Sequence, residues 1–220
     1  MSTPKMGRPR VAIVDDNTVV RFGLPLMHPE LEVVTTCATV EELLCEAPEV
    51  DLVILDLRLS DGSEPRRTQG TKAVKTVARA GYRICLYTDE RRRLVLAKCL
   101  RAGAHGIVHK SDSREFAADA FIRVAEGETV ITRSLEGLAE VLARRGGMPE
   151  MTERQKQVLA ARARGETFPE IAERLFITEG VAQEHMRVVS QKFSRYMADA
   201  SPGDIEYHLG LAPGDLADED

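Results

Sequence analysis

Two hydrophobic periodicities alternate along the first 130 residues of the chain. Short apolar runs rich in β-branched residues indicate strands buried on both faces, and they occur at residues 11–14, 33–37, 52–55, 84–87 and 106–108. Segments with helical spacing lie between and after these runs, at residues 19–27, 40–46, 71–80, 90–101 and 113–125. This alternation predicts an α/β domain with a doubly wound five-stranded parallel sheet and helices on both faces.

From about residue 132 onward the chain has helical spacing only. Helices are predicted at residues 135–145, 155–164, 169–175, 179–195 and 201–209, with an Arg-Arg-Gly-Gly-Met-Pro linker after the first of them. Thr152 and Gln155 have the spacing of a capping box, and Thr178 suits an N-cap. We therefore expect an α/β domain at 8–130, a helical linker at 131–150, a small all-α domain at 151–212 and an acidic tail at 213–220.

The composition is that of a globular protein, with 43% hydrophobic and 30% charged residues. The four cysteines show neither a C-x-x-C pair nor a metal-ligand spacing, which favours reduced thiols. The first ten residues lack the apolar core of a signal peptide, and no stretch approaches the roughly 18 apolar residues of a membrane span. We expect a cytoplasmic protein that has no membrane partner.

The net charge of −5 argues against nucleic-acid binding unless the charge is unevenly distributed. Residues 148–220 contain eight Lys or Arg and fourteen Asp or Glu, and seven of these acids follow Met197. The acidity is therefore concentrated at the C-terminal end, and the helical domain itself is close to neutral.

Polar residues whose side chains can bind a metal or take part in a reaction lie at the ends of four of the predicted strands. Asp15 and Asp16 follow the first strand, Asp56 the third, Thr88 ends the fourth, and Lys110 comes after the fifth. Because the carboxyl ends of parallel strands meet at one edge of a sheet, all five are expected to converge. Three carboxylates repel one another unless a cation lies among them, and an all-oxygen set suits Mg²⁺. Each residue alone is typical of a turn, a helix cap or a solvated surface, but together they predict phosphoryl transfer to Asp56.

Residues 10–127 resemble the receiver domain of two-component response regulators, which has a flavodoxin-like fold. The matching motifs are Val-Asp-Asp at 14–16, Leu-Asp-Leu-Arg-Leu at 55–59, Tyr-Thr at 87–88 and Gly-Ile-Val-His-Lys at 106–110. The resemblance implies that Asp56 accepts a phosphoryl group from a sensor histidine kinase. It also implies a Mg²⁺ site made by Asp15, Asp16, Asp56 and the backbone carbonyl of Arg58, and a catalytic role for Thr88 and Lys110 at the phosphoryl group.

Two features depart from the receiver pattern. The family usually has Tyr or Phe three residues before the lysine, where the ring swings inward upon phosphorylation, and this chain has Ile107. An aliphatic side chain cannot make the same movement, so the coupling of phosphorylation to output is in question. The segment 60–70, which carries Arg66 and Arg67, is longer than usual; it either shields the pocket or is a tolerated surface insertion.

Residues 151–193 resemble the helix-turn-helix of the LuxR/FixJ/NarL-type regulators. The matching stretches are Met-Thr-Glu-Arg-Gln at 151–155, Arg-Gly-Glu-Thr-Phe-Pro-Glu-Ile-Ala at 164–172, Leu-Phe-Ile-Thr-Glu-Gly at 175–180, and His185. In this motif the second helix enters the major groove of DNA while it packs against the first. The residues expected to pack the two helices together are Ile171, Ala172 and Leu175 on the first and Val181, His185 and Val188 on the second.

The resemblance implies DNA contacts from the second helix and its ends, by Thr178, Val181, Gln183, Glu184, Arg187 and Lys192. Gln, Glu and Arg can pair with base edges, and Thr178 and Lys192 are placed for the phosphate backbone. The same residues are equally typical of the solvated face of an amphipathic helix. Where the family mostly has Thr-Val-Lys, this chain has Val-Ala-Gln at 181–183. The loss of a hydroxyl and a positive charge predicts weak or salt-sensitive binding unless a dimer doubles the contacts.

The leading hypothesis is a response regulator transcription factor that is phosphorylated on Asp56 and binds double-stranded DNA as a homodimer. A second hypothesis is a regulator whose helical domain and acidic tail bind another protein, such as RNA polymerase, instead of DNA. A third keeps DNA binding but makes it independent of phosphorylation, as Ile107 permits. The sequence suggests neither a substrate cleft nor a second nucleophile, so an ordinary enzyme is disfavoured.

Overall fold

The computed structural model describes residues 7–59 and 68–216. Within these limits the chain forms two compact units. The first runs to Glu90 and resumes over Ala102–Val130, and the second comprises Arg91–Arg101 and the described residues from Ile131 onward. The four cysteines are thiols, as expected. Across 7–59 and 68–216, none of the helices combines the length and the apolar character needed to cross a membrane.

The first unit contains one sheet of five strands: β1 (Arg10–Val14), β2 (Glu32–Cys37), β3 (Leu52–Leu55), β4 (Ile84–Thr88) and β5 (Gly106–His109). Their order across the sheet is β2-β1-β3-β4-β5, and every neighbouring pair is parallel. The predicted doubly wound α/β fold is confirmed. Because β1 and β3 are neighbours although β2 lies between them in sequence, the chain reverses its winding there. A crevice at the carboxyl ends of β1 and β3 follows from this topology.

Strand β2 differs from the expectation that every strand is buried on both faces. Of its residues only Cys37 is buried, and Val34 is 38% exposed. β2 lies at one edge of the sheet and is covered less completely than β1 and β3. Runs of Val and Thr suit a half-buried edge as well as a buried strand, so the composition of the run does not distinguish the two.

The helices connecting the strands are α1 (Thr18–Met27), α2 (Val40–Glu46), α3 (Gly70–Arg79), α4 (Arg93–Arg101) and α5 (Arg114–Ala125). Asn17, Thr39 and Ser113 cap α1, α2 and α5, each by accepting a hydrogen bond from a main-chain N–H inside the helix. Helix α4 groups with the second unit. It begins later than the predicted start at residue 90, because the chain first turns with the N–H of Glu90 donating to Oγ1 of Thr88.

The second unit is helical, and after α4 it contains α6 (Arg133–Arg144), α7 (Glu153–Ala163), α8 (Phe168–Leu175), α9 (Glu179–Asp199) and α10 (Pro202–Leu209). The predicted capping box of Thr152 and Gln155 is present at the start of α7, and a second capping box begins α8. Thr178 caps α9 through its side chain, which accepts a hydrogen bond from the N–H of Val181. The pair α8 and α9 has the order of a helix-turn-helix.

The packing face of α9 is displaced by one residue from the predicted face. The expected residues of α8 are buried. On α9, however, the expectation that Val181, His185 and Val188 pack the helices is wrong, since the buried residues are Ala182, Met186, Val189, Ser190, Phe193 and Met197. Two stripes with helical spacing compete along this sequence. The stripe through Val181 reaches the charged Lys192, whereas the other stays largely apolar as far as Met197 and is the one buried.

Candidate functional site

Three carboxylates meet at the carboxyl edge of the sheet. Asp15 and Asp16 directly follow β1, and Asp56 directly follows the neighbouring strand β3. One carboxylate oxygen from each residue lies within 4.8 Å of the other two. Asp15 and Asp56 are buried and Asp16 is partly exposed, so the cluster is reached from solvent on the side of Asp16.

Lys110 contributes positive charge to this cluster. It follows β5, and its Nζ donates to Oδ2 of Asp15 at 2.8 Å and to Oδ2 of Asp56 at 3.0 Å. Its main-chain N–H donates to the carbonyl of Thr88 at the end of β4, which fixes the position of its backbone. One ammonium offsets one of three carboxylate charges, so the pocket with all three acids ionised attracts a further cation.

Main-chain hydrogen bonds orient the two buried carboxylates. The N–H of Leu57 donates to Oδ1 of Asp56 at 2.7 Å, and the N–H of Asn17 donates to Oδ1 of Asp15 at 2.8 Å. Arg21 of α1 donates from Nη1 to two carbonyl oxygens of the turn after β1. The side chains of the pocket are therefore held in place before any ligand arrives.

Burial and neighbouring charges shift the titration of the pocket. Burial raises the pKa of Asp56 above its ordinary value, and Asp15 adds to the rise, while the hydrogen bond and charge of Lys110 oppose it. Burial works to lower the pKa of Lys110, but its hydrogen bonds to Asp15 and Asp56 outweigh burial, and the net pKa is raised. A further cation near Asp56 would favour the ionised carboxylate, which is the nucleophilic form.

Thr88 is buried at the end of β4, beside Lys110. Its Oγ1 accepts the hydrogen bond from the N–H of Glu90 at 3.2 Å. Glu90 is itself buried and pairs with the largely exposed guanidinium of Arg58 at 3.7 Å. Sequence reasoning missed Glu90, because an acid at the predicted start of a helix is typical of an ordinary first turn.

Ile107, at the position of the usual aromatic residue, is fully buried in β5. An aromatic ring adjoins the pocket from a different strand, since the centroid of the Tyr87 ring lies 5.9 Å from Nζ of Lys110. Tyr87 packs edge-to-face on Phe121 with centroids 5.8 Å apart, and Phe121 packs in the same manner on His28 at 5.4 Å. A row of rings therefore runs from the pocket to the C-terminal end of α1.

The residues expected to contact DNA lie on α9 or at its start. Thr178 is the exposed N-cap, and Val181, Gln183 and Glu184 are exposed in the first two turns. Gln183 donates to the side chain of Glu179 at 3.1 Å. Gln183, one of the residues expected to pair with base edges, is thus hydrogen-bonded within α9 itself.

Arg187 and Lys192 also have partners within the protein. Arg187 donates two hydrogen bonds to the carboxylate of Glu184, at 2.7 and 2.6 Å. Lys192 donates to the carbonyl of Glu150 and to Oε1 of Gln155, at the start of α7. The two positive charges expected on the DNA-facing helix are therefore engaged by other residues of the same unit.

Some expectations fall outside what the structure describes. Arg66 and Arg67 of the long segment after Asp56 lie in residues 60–67, and the last four residues of the acidic tail lie beyond 216. The role of the Arg58 carbonyl as a metal ligand stays a prediction.

The fold and the pocket define a receiver-type α/β domain followed by a helical unit with a helix-turn-helix. No protein-family model matches the chain. Several proteins of known function, however, are similar to the chain. LnrK of Bacillus subtilis, a transcriptional regulatory protein, is 28% identical over 224 residues, which cover 92% of this chain and 99% of LnrK. DevR/DosR of Mycobacterium tuberculosis, a DNA-binding transcriptional activator, is 27% identical over 219 residues, covering 94% and 98%.

VraR of Staphylococcus aureus, a response regulator, is 27% identical over 190 residues, covering 83% of this chain and 89% of VraR. Among solved structures, RcsB of Salmonella typhimurium has the same fold, with a TM-score of 0.54 at 20% identity over 94% of this chain and all of RcsB. An RcsB–DNA complex gives a TM-score of 0.52 at 19% identity, covering 93% and 98%. The expected resemblance to response regulators of the LuxR/FixJ/NarL type is confirmed along both parts of the chain.

Proposed function

We propose that the chain is a response regulator transcription factor in which phosphorylation of Asp56 controls DNA binding by the helical domain. The observation that carries the proposal is the contact of Lys110 with both Asp15 and Asp56, which brings the predicted nucleophile, acid and ammonium to one point. The relatives support the output, since they are transcriptional regulators and one is a DNA-binding activator. Residues 8–130 act as the receiver, and residues 151–212 act as the DNA reader.

Asp56 is the nucleophile in this proposal. A carboxylate oxygen of Asp56 attacks the phosphorus of a phosphohistidine on a sensor kinase, an O–P bond forms, and the P–N bond breaks. The leaving imidazole nitrogen takes a proton from solvent. The ammonium of Lys110, 3.0 Å from the attacking carboxylate, stabilises the charge on the transferred oxygens, and the hydroxyl of Thr88 bonds the phosphoryl group once it is in place.

The acidic pocket fits a magnesium ion. One oxygen from each of its three carboxylates lies within 4.8 Å of the other two, and carboxylate oxygens are the ligands that Mg²⁺ prefers. Asp15, Asp16 and Asp56 would hold Mg²⁺, together with the carbonyl of Arg58. The bound ion would supply positive charge against the phosphoryl oxygens.

Helix α1 supports the proposal of a homodimer. Val19, Phe22 and Leu26 follow one another at helical spacing and are exposed, Phe22 by 66%. We call these three residues the α1 patch. Arg114 of α5 donates to the carbonyl of Met27, the residue after Leu26, and pairs with Glu30 at 3.1 Å, so both signs of charge lie near the C-terminal end of α1. A patch of this kind can bind a second copy of itself across a two-fold axis, with each arginine facing an acid of the other copy.

The test compares wild type with Asp56→Asn after treatment with acetyl phosphate and Mg²⁺. We expect a mass gain of one phosphoryl group in wild type and none in the variant, and tighter DNA binding by the phosphorylated protein in a mobility-shift assay. Asp119→Asn, which changes an exposed carboxylate on α5, is the matched control and should gain the phosphoryl group normally. No mass gain in wild type would overturn the phosphorylation step.

A second candidate function is DNA binding that does not depend on phosphorylation. The aliphatic side chain at Ile107 favours it, because this position holds no ring that could rotate between the pocket and the surface. Under this alternative, wild type and Asp56→Asn bind DNA equally tightly with and without acetyl phosphate.

A further inference from the structure

Two large apolar side chains flank the N-terminus of α9. Phe176, in the turn between α8 and α9, is 95% exposed, and Val181, in the first turn of α9, is 42% exposed. Thr178, the N-cap, lies between them in the chain. Single exposed apolar residues are common on protein surfaces. These two, however, stand at the end of the helix that enters the groove in a helix-turn-helix, so their exposure has a specific position.

The backbone conformation of Phe176 is a second unusual feature of this exposed residue. The residue adopts a left-handed conformation, with φ of 53°, at the C-cap of α8. Glycine is favoured at such a position because a Cβ atom crowds the following carbonyl oxygen. Within the folded chain, neither burial nor backbone preference favours a phenylalanine at residue 176. A contact with another molecule would account for it.

The polar residues of the same surface are already hydrogen-bonded within the protein. Gln183 and Arg187 each donate to an acid one turn away on α9, and Lys192 donates to groups at the start of α7. Any of these residues that pairs with DNA must first give up bonds it makes in the folded chain. Phe176 and Val181 need to release only the water around their side chains. Apolar contact with DNA by these two residues therefore breaks no hydrogen bond within the protein.

We propose, resting on the DNA binding proposed above, that Phe176 and Val181 read DNA through apolar contact with the 5-methyl groups of thymine. The methyl group of thymine is the apolar feature of the major groove, where the other base edges present hydrogen-bond donors and acceptors. Removing one buried methyl group corresponds to a loss of about fourfold in affinity. The ligand is therefore a duplex with thymines at the positions that face the N-terminal end of α9.

The experiment replaces thymine by uracil, which lacks only the methyl group. The full chain, treated with acetyl phosphate and Mg²⁺, selects duplexes from a randomised library at low salt. The selected duplexes are then synthesised in thymine and uracil forms, and the dissociation constant is measured for each. We expect wild type to bind the uracil form at least about fourfold more weakly.

Val181→Ala and Phe176→Gly assign the effect to these side chains. Each variant should bind the thymine duplex more weakly than wild type and should lose part of the preference for thymine over uracil. Ala47→Gly is the matched control, because Ala47 also has a left-handed backbone at a helix C-cap, with φ of 44°, but lies at the end of α2. It should keep the full preference.

Equal affinity of wild type for the thymine and uracil forms would overturn the proposed contact with thymine methyl groups but not the proposed DNA binding. A preference that is unchanged in both variants would also overturn it, because the methyl groups would then be read by other residues. Failure of wild type to select any duplex would overturn this inference and the proposed DNA binding together.

Discussion

The Nζ of Lys110 lies 3.0 Å from Oδ2 of Asp56, although the two residues are 54 positions apart in the chain. The sheet produces this contact, because Asp56 follows β3, Lys110 follows β5, and only β4 lies between these two strands. A phosphoryl group transferred to Asp56 would add three oxygens, which carry more negative charge than the carboxylate, beside the ammonium of Lys110. The contact therefore places an ammonium where negative charge would develop.

Lys110→Gln is expected to slow the phosphorylation of Asp56 by on the order of 100-fold, because glutamine can donate a hydrogen bond but carries no charge. The measurement is the intact mass of the protein at successive times with acetyl phosphate and Mg²⁺. Lys72→Gln, on an exposed position of α3, is the control and should react at the wild-type rate. A rate for Lys110→Gln equal to that of wild type would show that the ammonium does not assist transfer.

Phe22→Glu is expected to weaken dimerisation of the phosphorylated protein by at least about tenfold, since it places a charge in the apolar centre of each α1 patch. Sedimentation velocity over a range of protein concentrations measures the change. Tyr207→Glu is the matched control, because Tyr207 is also a highly exposed aromatic residue but lies on α10. If Phe22→Glu and Tyr207→Glu dimerise as wild type does, the α1 patch is not the dimer surface.

The receiver-type fold could be predicted from sequence because its signals are local and repeated. Each strand is a short β-branched run, and each helix between strands shows its own spacing. Parallel pairing then brings the residues after each strand to one edge, so the convergence of Asp15, Asp56 and Lys110 follows from topology alone. The pairing of Arg58 with Glu90 does not follow from it, because it depends on the turn that precedes α4.

The surface of α9 was harder to predict for a different reason. Val181 and Ala182 begin two apolar stripes offset by one residue, and the choice between them is made by residues near the far end of the helix. Lys192 forms its hydrogen bonds with Glu150 and Gln155, which are distant in sequence, so no local pattern reveals them. Helix periodicity finds an amphipathic helix but not which of two adjacent faces is buried.

Glu136 of α6 and Arg162 of α7 form a buried ion pair. Oε1 of Glu136 accepts hydrogen bonds from Nε and Nη2 of Arg162 at 3.2 and 3.1 Å, whereas Oε2 has no partner in the described part of the chain. Burial raises the pKa of Glu136 even though Arg162 opposes the rise. Arg162→Met leaves this carboxylate without its counter-charge, and we expect the free energy of unfolding to fall by about 3–5 kcal/mol in urea titrations.

The double variant Arg162→Met, Glu136→Leu should recover most of the lost free energy of unfolding. Two apolar side chains of similar size fill the same space, and no charge is then buried without a partner. Both variants and wild type are compared at the same pH. A double variant that is as unstable as the single one would show that packing of the Arg162 stem, and not the unpaired carboxylate, accounts for the loss.

His105 makes the stability of the α/β unit depend on pH. Its Nδ1 accepts a hydrogen bond from the N–H of Ile84 at 3.3 Å, which requires the neutral ring. Burial, with a smaller contribution from the charge of Arg83, lowers its pKa to about 4. The unfolded chain binds this proton near pH 6.5, so the stability that His105 contributes is complete above that pH. It is lost as the pH falls towards and through about 4.

The lowering of the His105 pKa corresponds to a loss of at most about 3 kcal/mol in the free energy of unfolding. Because His105 is not completely buried, we expect a loss of about 1–2 kcal/mol between pH 7 and 4. His105→Gln keeps a hydrogen-bond acceptor but does not titrate. Urea unfolding of both proteins across this range gives the difference, in which the carboxylates common to both cancel. The free energy of unfolding of wild type should fall more steeply than that of the variant. Parallel curves would mean that His105 binds its proton equally well in the folded and unfolded chain.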